Sequence, residues 1–372
     1  MIIGFDASRA NRKNKTGVEW YTYYLLKHLA KIDSKNLYWL YTDTPLGEEL
    51  KNLGPNFVEK HLKWPFRYLW TQARLSWEML RHKPDILFIP ASVIPLIHAR
   101  KTITVIPDIG FIEYPQAYPF FRKLYLDFSV HFAGLFAKKI ITVSHASKSS
   151  LIEKYGIRDS RISVTYLSHD SEKFHTHHDE NAKNHIVKKY HLTKPYIFYI
   201  GVISKKKNIE GILKAFERFH SSPVGQSYCL VLAGRSGDYS DAMNSSIEKA
   251  GLKDAVILPG WVEPEDLPLF LANASIFIFP SLLEGFGIPI LEAFASGIPV
   301  ICSSRGSLPE VTQGAALLIN PQDTQNIYEA LKTIVEDTLL RKKLTQRGLE
   351  IAKQFSWDTC ARETLDIFES FS

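Results

Sequence analysis

Sulfur is scarce in this chain: of 372 residues, three are cysteine and three methionine. Cys229, Cys302 and Cys360 are odd in number and far apart, which excludes a disulfide framework and a metal knuckle and fits a reducing compartment. No apolar run is long enough to span a bilayer. The opening "MIIGFD" reads as a strand rather than a charged leader with a cleavage site, so no signal peptide is expected and the expected location is cytoplasmic. An excess of one charge sign is also nearly missing. Lys and Arg number 45 against 39 Asp and Glu, a net +6 with pI ≈ 8.9. That mild excess favours anionic ligands or a membrane surface and carries no nucleic-acid signature. There is no G-x-G-x-x-G; the glycines of "LAGRSGD" (232–238) are a weak phosphate signal, and a redox dinucleotide is disfavoured. No D-x-D or other carboxylate pair suited to a divalent ion is found, so no metal is expected.

What is present is a long alternation of short apolar runs and helical patterns. The first half offers runs at 2–6, 37–43, 85–91, 102–108, 139–144 and 162–168. The second offers 196–201, 229–234, 256–260, 275–281, 299–303 and 316–320. They are continuously apolar rather than alternating, as in strands buried on both faces of parallel sheets, with helices such as 208–220 and 323–336 as crossovers. The length is too great for one ordinary core. The expected fold class is therefore α/β, with two facing doubly wound, Rossmann-like domains and a deep cleft between the C-terminal edges of their strands. The expected bounds are 1–185, 186–355, and a terminal helix at 356–372 crossing back to the first domain. The polar stretch 174–195 reads as the interdomain connection. Its His175, His177 and His178 lack partner ligands at useful spacing and read as solvated.

"PSLLEGFGIPILEAFASGIPV" (280–300) sets Glu284 and Glu292 on either side of a glycine-containing turn after a strand. Pro289 suits the first turn of a helix and Gly297 its end. Backbone N–H groups near Phe286, Gly287 and Ile288 then make an anion site suited to phosphate. A carboxylate accepts two hydrogen bonds side by side, which matches a vicinal diol. Glu292, a turn into the helix, would hold a ribose, and Glu284 the hydroxyls of a second sugar. Sugar, diphosphate and ribose in that order describe a nucleotide-sugar. The alternative is a capped surface helix with two exposed glutamates.

The surrounding sequence adds a resemblance. "PSLLEGFGIPILEAFASGIPVICSSRGSLPEV" (280–311) is similar to the signature of retaining glycosyltransferases of family 4, the group 1 family, whose fold is called GT-B. "FYIGVISKKKNIEGILKAF" (198–216) is similar to that family's first donor-domain strand and basic loop. "VILPGWVEPEDLPLFLANASIFIFPS" (256–281) is similar to its base-binding segment, and "FDASRANRKNKTGVEWYTYYLL" (5–26) to its N-terminal glycine loop and helix.

The resemblance implies roles. The stretch from Gly201 to Asn208 would face the diphosphate, with Lys207 neutralising the leaving group. Lys206 stands where the family usually has arginine and keeps the charge without the planar fork. Trp261 and Val262 would hold the base through their backbone. Gly17 would let backbone approach the donor phosphates or the acceptor, although Glu19 and Trp20 depart from the pattern after it. Pro107 stands where many relatives have histidine, leaving Asp108 as the candidate there. Ser144 or Ser147 either caps a helix or, with His145, meets the acceptor. The basic and aromatic stretch 60–83 either lies on an anionic membrane as a peripheral contact or packs its aromatic face on the core, the second being preferred.

The implied reaction is metal-independent hexosyl transfer with retention, from a nucleoside-diphosphate sugar to a saccharide or lipid-linked acceptor, without a cofactor or a side-chain nucleophile. Mannose from a guanosine diphosphate donor is preferred, since the N-terminal pattern resembles polysaccharide and lipid-linked mannosyltransferases. Glucose, galactose, rhamnose and N-acetylhexosamine stay open. Two rivals are a nucleotide-sugar epimerase of the same fold and a non-catalytic binding protein.

Overall fold

The computed structural model describes residues 1–66, 68–235 and 240–371. Positions 236–238 of "LAGRSGD", and Arg67 in the stretch 60–83, lie outside the described residues. The chain divides into two compact units, Met1–Leu167 with Ser356–Ser372, and Ser168–Phe355.

The first unit is built on seven strands: β1 (Ile2–Asp6), β2 (Leu37–Thr42), β3 (Phe57–His61), β4 (Ile86–Ile89), β5 (Thr102–Val105), β6 (Lys139–Thr142) and β7 (Ile162–Val164). Their order is β3-β2-β1-β4-β5-β6-β7, and every pair is parallel. β4 and β5 are buried at all four positions, as parallel strands covered on both faces must be. β3, "FVEKH", was not expected. It is an edge strand with polar residues, paired only to β2, and its Lys60 lies 5.1 Å from the Trp39 ring centre.

The second unit has six: β8 (Tyr196–Ile200), β9 (Cys229–Ala233), β10 (Val256–Gly260), β11 (Ile276–Phe279), β12 (Val300–Ser303) and β13 (Leu317–Ile319). They run parallel in the order β10-β9-β8-β11-β12-β13. In both sheets the strand order reverses beside the first strand, at β1/β4 and at β8/β11. In open parallel sheets ligands bind outside the strand C-termini at such a point.

Three expectations need correction. The polar stretch 174–195 contains a helix, Glu180–Lys189, capped by the Asp179 side chain on Ala182 N. Ile186 is buried, Lys189 pairs with Asp266 at 2.7 Å, and Tyr190 packs on Phe270. The segment thus belongs to the second unit, which begins at Ser168 rather than 186. The stretch 60–83 does not pack its whole aromatic face. A π-helical turn, Trp70–Leu75, runs into an α-helix, Ser76–Arg81. Trp70, Leu75 and Met79 are buried and Trp64 packs on the core, but Phe66, Tyr68 and Trp77 are exposed. Lastly, the histidines near 175 are not simply solvated: the rings of His175 and His178 stack at 4.3 Å, and burial holds the His178 pKa down. The terminal helix, Trp357–Glu369, lies in the first unit, with Trp357 stacked on Tyr24 and Phe368 edge-on to Phe88. Among the described residues no helix is long and apolar enough to cross a membrane.

Candidate functional site

In the second unit the segments leaving β8, β9, β10 and β11 emerge on one edge of the parallel sheet. After β8, Gly201 takes φ +155° and its N–H bonds Ala233 O at 3.1 Å. Its carbonyl lies so near Gly234 that a Cβ on Gly234 would sit 1.8 Å from it, so the glycine of "LAGR" is required by backbone packing. The chain then makes a 3₁₀ turn, Lys205–Lys207, and Asn208, with φ +57°, starts the helix Ile209–His220. Asparagine tolerates that left-handed conformation, and its side chain donates to Pro321 O at 2.6 Å.

After β11 the turn carrying Glu284 leads to the helix Ile288–Ala295, with Pro289 in its first turn and Gly287 preceding it at φ +104°. Phe286 and Gly287 are buried and Ile288 is half-buried. The two segments are tied together: Leu282 N donates to Lys206 O at 2.9 Å, and the Lys207 ammonium donates to the Glu284 carboxylate. Both side chains of this ion pair are more than four-fifths buried, and the ammonium lies 4.9 Å from the Phe279 ring centre. Lys207 and Glu284 therefore meet at the point where the strand order reverses, 77 residues apart in sequence.

Glu292 sits a turn into the same helix, half-buried. Burial first, and then the neighbouring Asp170 carboxylate, push its pKa up to about 8, with Lys173 opposing. Trp261 and Val262 follow β10, Trp261 half-buried with the Arg235 guanidinium 4.6 Å from its ring centre, and Val262 buried.

Several contacts around this edge were not foreseen. Ser307 O–H lies within hydrogen-bond distance of Glu284 O (3.0 Å) and Phe286 O (3.1 Å) and so clamps the turn. Its only signal was its place in "SSRGSLPEV". Arg235, Asp170 and Lys173 reach Trp261 and Glu292 from distant segments, for which a single sequence carries no local mark.

The other two candidates lie in the first unit. Gly17 is exposed at the start of the helix Gly17–Ile32, and a Cβ there would meet nothing within 4 Å, so nothing in the chain itself demands glycine. Glu19 accepts from Thr16 N at 3.2 Å and pairs with Arg9, and Trp20 stacks on Tyr24. Both departures from the family pattern thus secure the helix start and its packing. Asp108, half-buried beyond β5, accepts from Gly110 N at 2.8 Å. Ser144 caps the helix His145–Tyr155 by accepting from Ser147 N, and Ser147 O–H donates to Pro107 O at 2.7 Å. The structure adds Asp6 at the end of β1, a buried carboxylate accepting from Ser8 N and O–H, its pKa raised by desolvation. Among the described residues no three His, Cys, Asp or Glu side chains are grouped as a metal site requires.

Comparison with known proteins gives the family and the fold. Residues 180–350 match the family model of glycosyl transferases group 1, and residues 15–173 that of glycosyltransferase family 4. O-antigen chain mannosyltransferase B of Escherichia coli is 33% identical over 297 residues, 80% of this chain and 77% of that one. O-antigen chain mannosyltransferase RfbU of Salmonella typhimurium is 31% identical over 241 residues, 65% and 62% of the two chains. Among solved structures, Anabaena Alr3699/HepE in complex with UDP and glucose superposes with a TM-score of 0.77 at 20% identity, covering 99% of both chains. WaaG, a glycosyltransferase involved in lipopolysaccharide biosynthesis, gives 0.77 at 14% identity, again over 99% of both.

Proposed function

Because this chain belongs to the group 1 family of glycosyltransferases and has the two-domain α/β GT-B fold, we propose that it moves mannose from a guanosine diphosphate donor to a saccharide or lipid-linked saccharide, with retention of anomeric configuration and without a metal ion. The O-antigen chain mannosyltransferases among its relatives support the sugar and the acceptor class. A peripheral contact with the cytoplasmic face of a membrane belongs to the same reading.

The observation that carries the reading is the Lys207–Glu284 pair at the reversal of strand order. Lys207, supported by Lys206 and the backbone from Gly201, would neutralise the diphosphate. The amides at Phe286, Gly287 and Ile288 would add the positive end of a helix dipole. Glu284 would hold the sugar hydroxyls and Glu292 the ribose. Backbone of Trp261 and Val262 would hold the base, under the indole that Arg235 covers. Gly17 and Asp108 would serve the sugar and acceptor from the first unit. In the step itself the bond from the anomeric carbon to the phosphate oxygen breaks, and the acceptor oxygen bonds that carbon on the same face. The acceptor's proton passes to the departing phosphate oxygen. Charge grows on the diphosphate as it leaves, which is where a fixed ammonium is most effective.

The test uses donor and acceptor with the intact chain. Lys207→Ala is expected to lower turnover by roughly two to three powers of ten, the scale of a preorganised charge stabiliser. Proton NMR of the wild-type product should show the anomeric configuration of the donor. Near-normal transfer by the variant would remove Lys207 from the chemistry, and an inverted product would reject retention. Isomerised sugar formed from donor alone would replace transfer with epimerisation.

A further inference from the structure

A cavity of about 510 Å³ opens in the second unit, on the edge of the sheet opposite to the Lys207–Glu284 pair. Part of its lining comes from residues that lead into two neighbouring strands, Ser275 before β11 and Gly297, Ile298 and Pro299 before β12. The strands run parallel, so these residues share the N-terminal edge, whereas the turn carrying Glu284 leaves β11 at its C-terminal end. The four residues of β11, roughly 13 Å of strand, lie between the two places. The cavity is therefore no part of the site described above.

The helix Thr338–Ala352 supplies the rest of the lining that matters, with Arg341, Lys342 and Thr345. This helix is held close to the helix Ile288–Ala295: a Cβ on Gly348 would sit 2.7 Å from the Phe294 ring. Gly297, at φ +74°, ends that second helix by donating to Phe294 O at 3.0 Å and turns the chain toward β12. The cavity thus lies between elements fixed by packing, as a binding site requires.

Charge in it is one-sided. The helix Thr338–Ala352 carries Arg341, Lys342, Lys343 and Arg347 against Glu350 alone. Glu350 accepts from the Gln346 side chain at 3.2 Å, and the capping Asp337 accepts from Leu339 N and Leu340 N. Among the described residues the side chains of Arg341 and Lys342 have no ion-pair or hydrogen-bond partner, and neither do the hydroxyls of Ser275 and Thr345. Ser275, Arg341 and Thr345 are half-buried. A planar guanidinium, an ammonium and two hydroxyls lining one space suit an anion that accepts several hydrogen bonds at once. A phosphate monoester offers three terminal oxygens and nearly two charges, against two oxygens and one charge for a carboxylate. The volume exceeds that of phosphate alone and falls within the range of about 300–1,000 Å³ usual for small organic ligands. Ile298 and Pro299 give its carbon part an apolar wall. We propose that this cavity binds the phosphomonoester of a small polyol, at a site separate from the donor's. The proposal does not depend on which sugar is transferred or on the role of Lys207.

Calorimetry on the full chain tests it, with glucose 6-phosphate as the probe. The probe should bind, inorganic phosphate more weakly, and gluconate and glucose hardly at all. Arg341→Gln/Lys342→Gln should raise its dissociation constant at least about tenfold, with an unchanged melting temperature and unchanged affinity for a nucleoside diphosphate. Lys342→Glu, at an exposed position, should weaken it in the same direction, while Lys207→Ala should leave it as in the wild type. Hydrogen exchange on the wild type should slow with the probe in peptides spanning 274–277, 297–300 and 338–346. The proposal is overturned if the probe does not bind, or if the double variant binds it like the wild type. It is equally overturned if the loss follows Lys207→Ala instead, which would put the phosphate in the donor site. Gluconate or inorganic phosphate binding as tightly as the probe would also overturn it, since the phosphate or its ester would then go unrecognised.

Discussion

In the unliganded chain the Lys207 charge is already answered by Glu284, in a setting where both groups are largely withdrawn from water. A charge-assisted hydrogen bond of this kind contributes about 1.5–3 kcal/mol, and a diphosphate that takes the ammonium must displace it. In the proposed site Glu284 would therefore oppose binding of a bare nucleoside diphosphate, while a sugar's hydroxyls would give its carboxylate a new partner. Glu284→Gln is expected to bind the free diphosphate up to about tenfold more tightly, roughly 1.4 kcal/mol, while transfer falls. Calorimetry with the nucleoside diphosphate alone measures this, and equal or weaker binding would refute the competition. Glu292 poses a different cost. Its carboxyl titrates near 8 in the folded chain against an ordinary value of 4.5, because burial and Asp170 disfavour the anion. Between those values the folded chain keeps a proton that the unfolded chain has released, so this group makes stability fall as pH rises from about 4.5 to about 8. Glutamine imitates the protonated carboxyl and removes that dependence. The melting temperature of Glu292→Gln should match the wild type near the acid end of the window and exceed it increasingly toward pH 8, whereas parallel melting curves would contradict the assignment.

At the level of elements, legibility followed how a segment meets its neighbours. Strands such as "ILFI" in β4 and "IFIF" in β11 are covered on both faces, so their composition alone marks them. β3 escaped because an edge strand needs only one apolar face and carries Glu59 and Lys60. The helix Glu180–Lys189 escaped because it buries little more than Ile186 and reads as polar linker everywhere else. The same logic governs the site. Lys207 and Glu284 each follow a strand of a parallel sheet, so topology puts both on one edge, and strand-loop-helix punctuation is readable from sequence. Ser307 clamping the Glu284 turn and Arg235 over Trp261 are contacts between distant segments, and Asp170 and Lys173 act on Glu292 through their charge, with no periodicity to announce any of them. Glu19 is the opposite case: T-x-x-E before a helix is a capping signature, and Thr16 and Glu19 form that capping box inside the stretch that carries the family motif.

For the molecule as a whole, two parallel sheets give two cores, and the chain's last helix belongs to the first of them. Phe368 reaches the Phe88 ring of β4 at 5.1 Å and is wholly buried, while Trp357 stacks on Tyr24 and Asp358 bonds His28 at 2.6 Å. The helix Trp357–Glu369 thus completes a core whose other parts lie within Met1–Leu167. Removing the Phe368 ring leaves a cavity against β4, and Phe→Ala in a core costs about 3–5 kcal/mol. If each sheet holds its own cooperative unit, that cost falls on the first alone. Hydrogen exchange followed by mass spectrometry on Phe368→Ala should then show lost protection in peptides from 1–167 and 356–371, with peptides from 168–355 exchanging as in the wild type. Loss spread evenly over both sets would mean that the two sheets unfold as one, and that the terminal helix stabilises the whole chain rather than the unit it packs in.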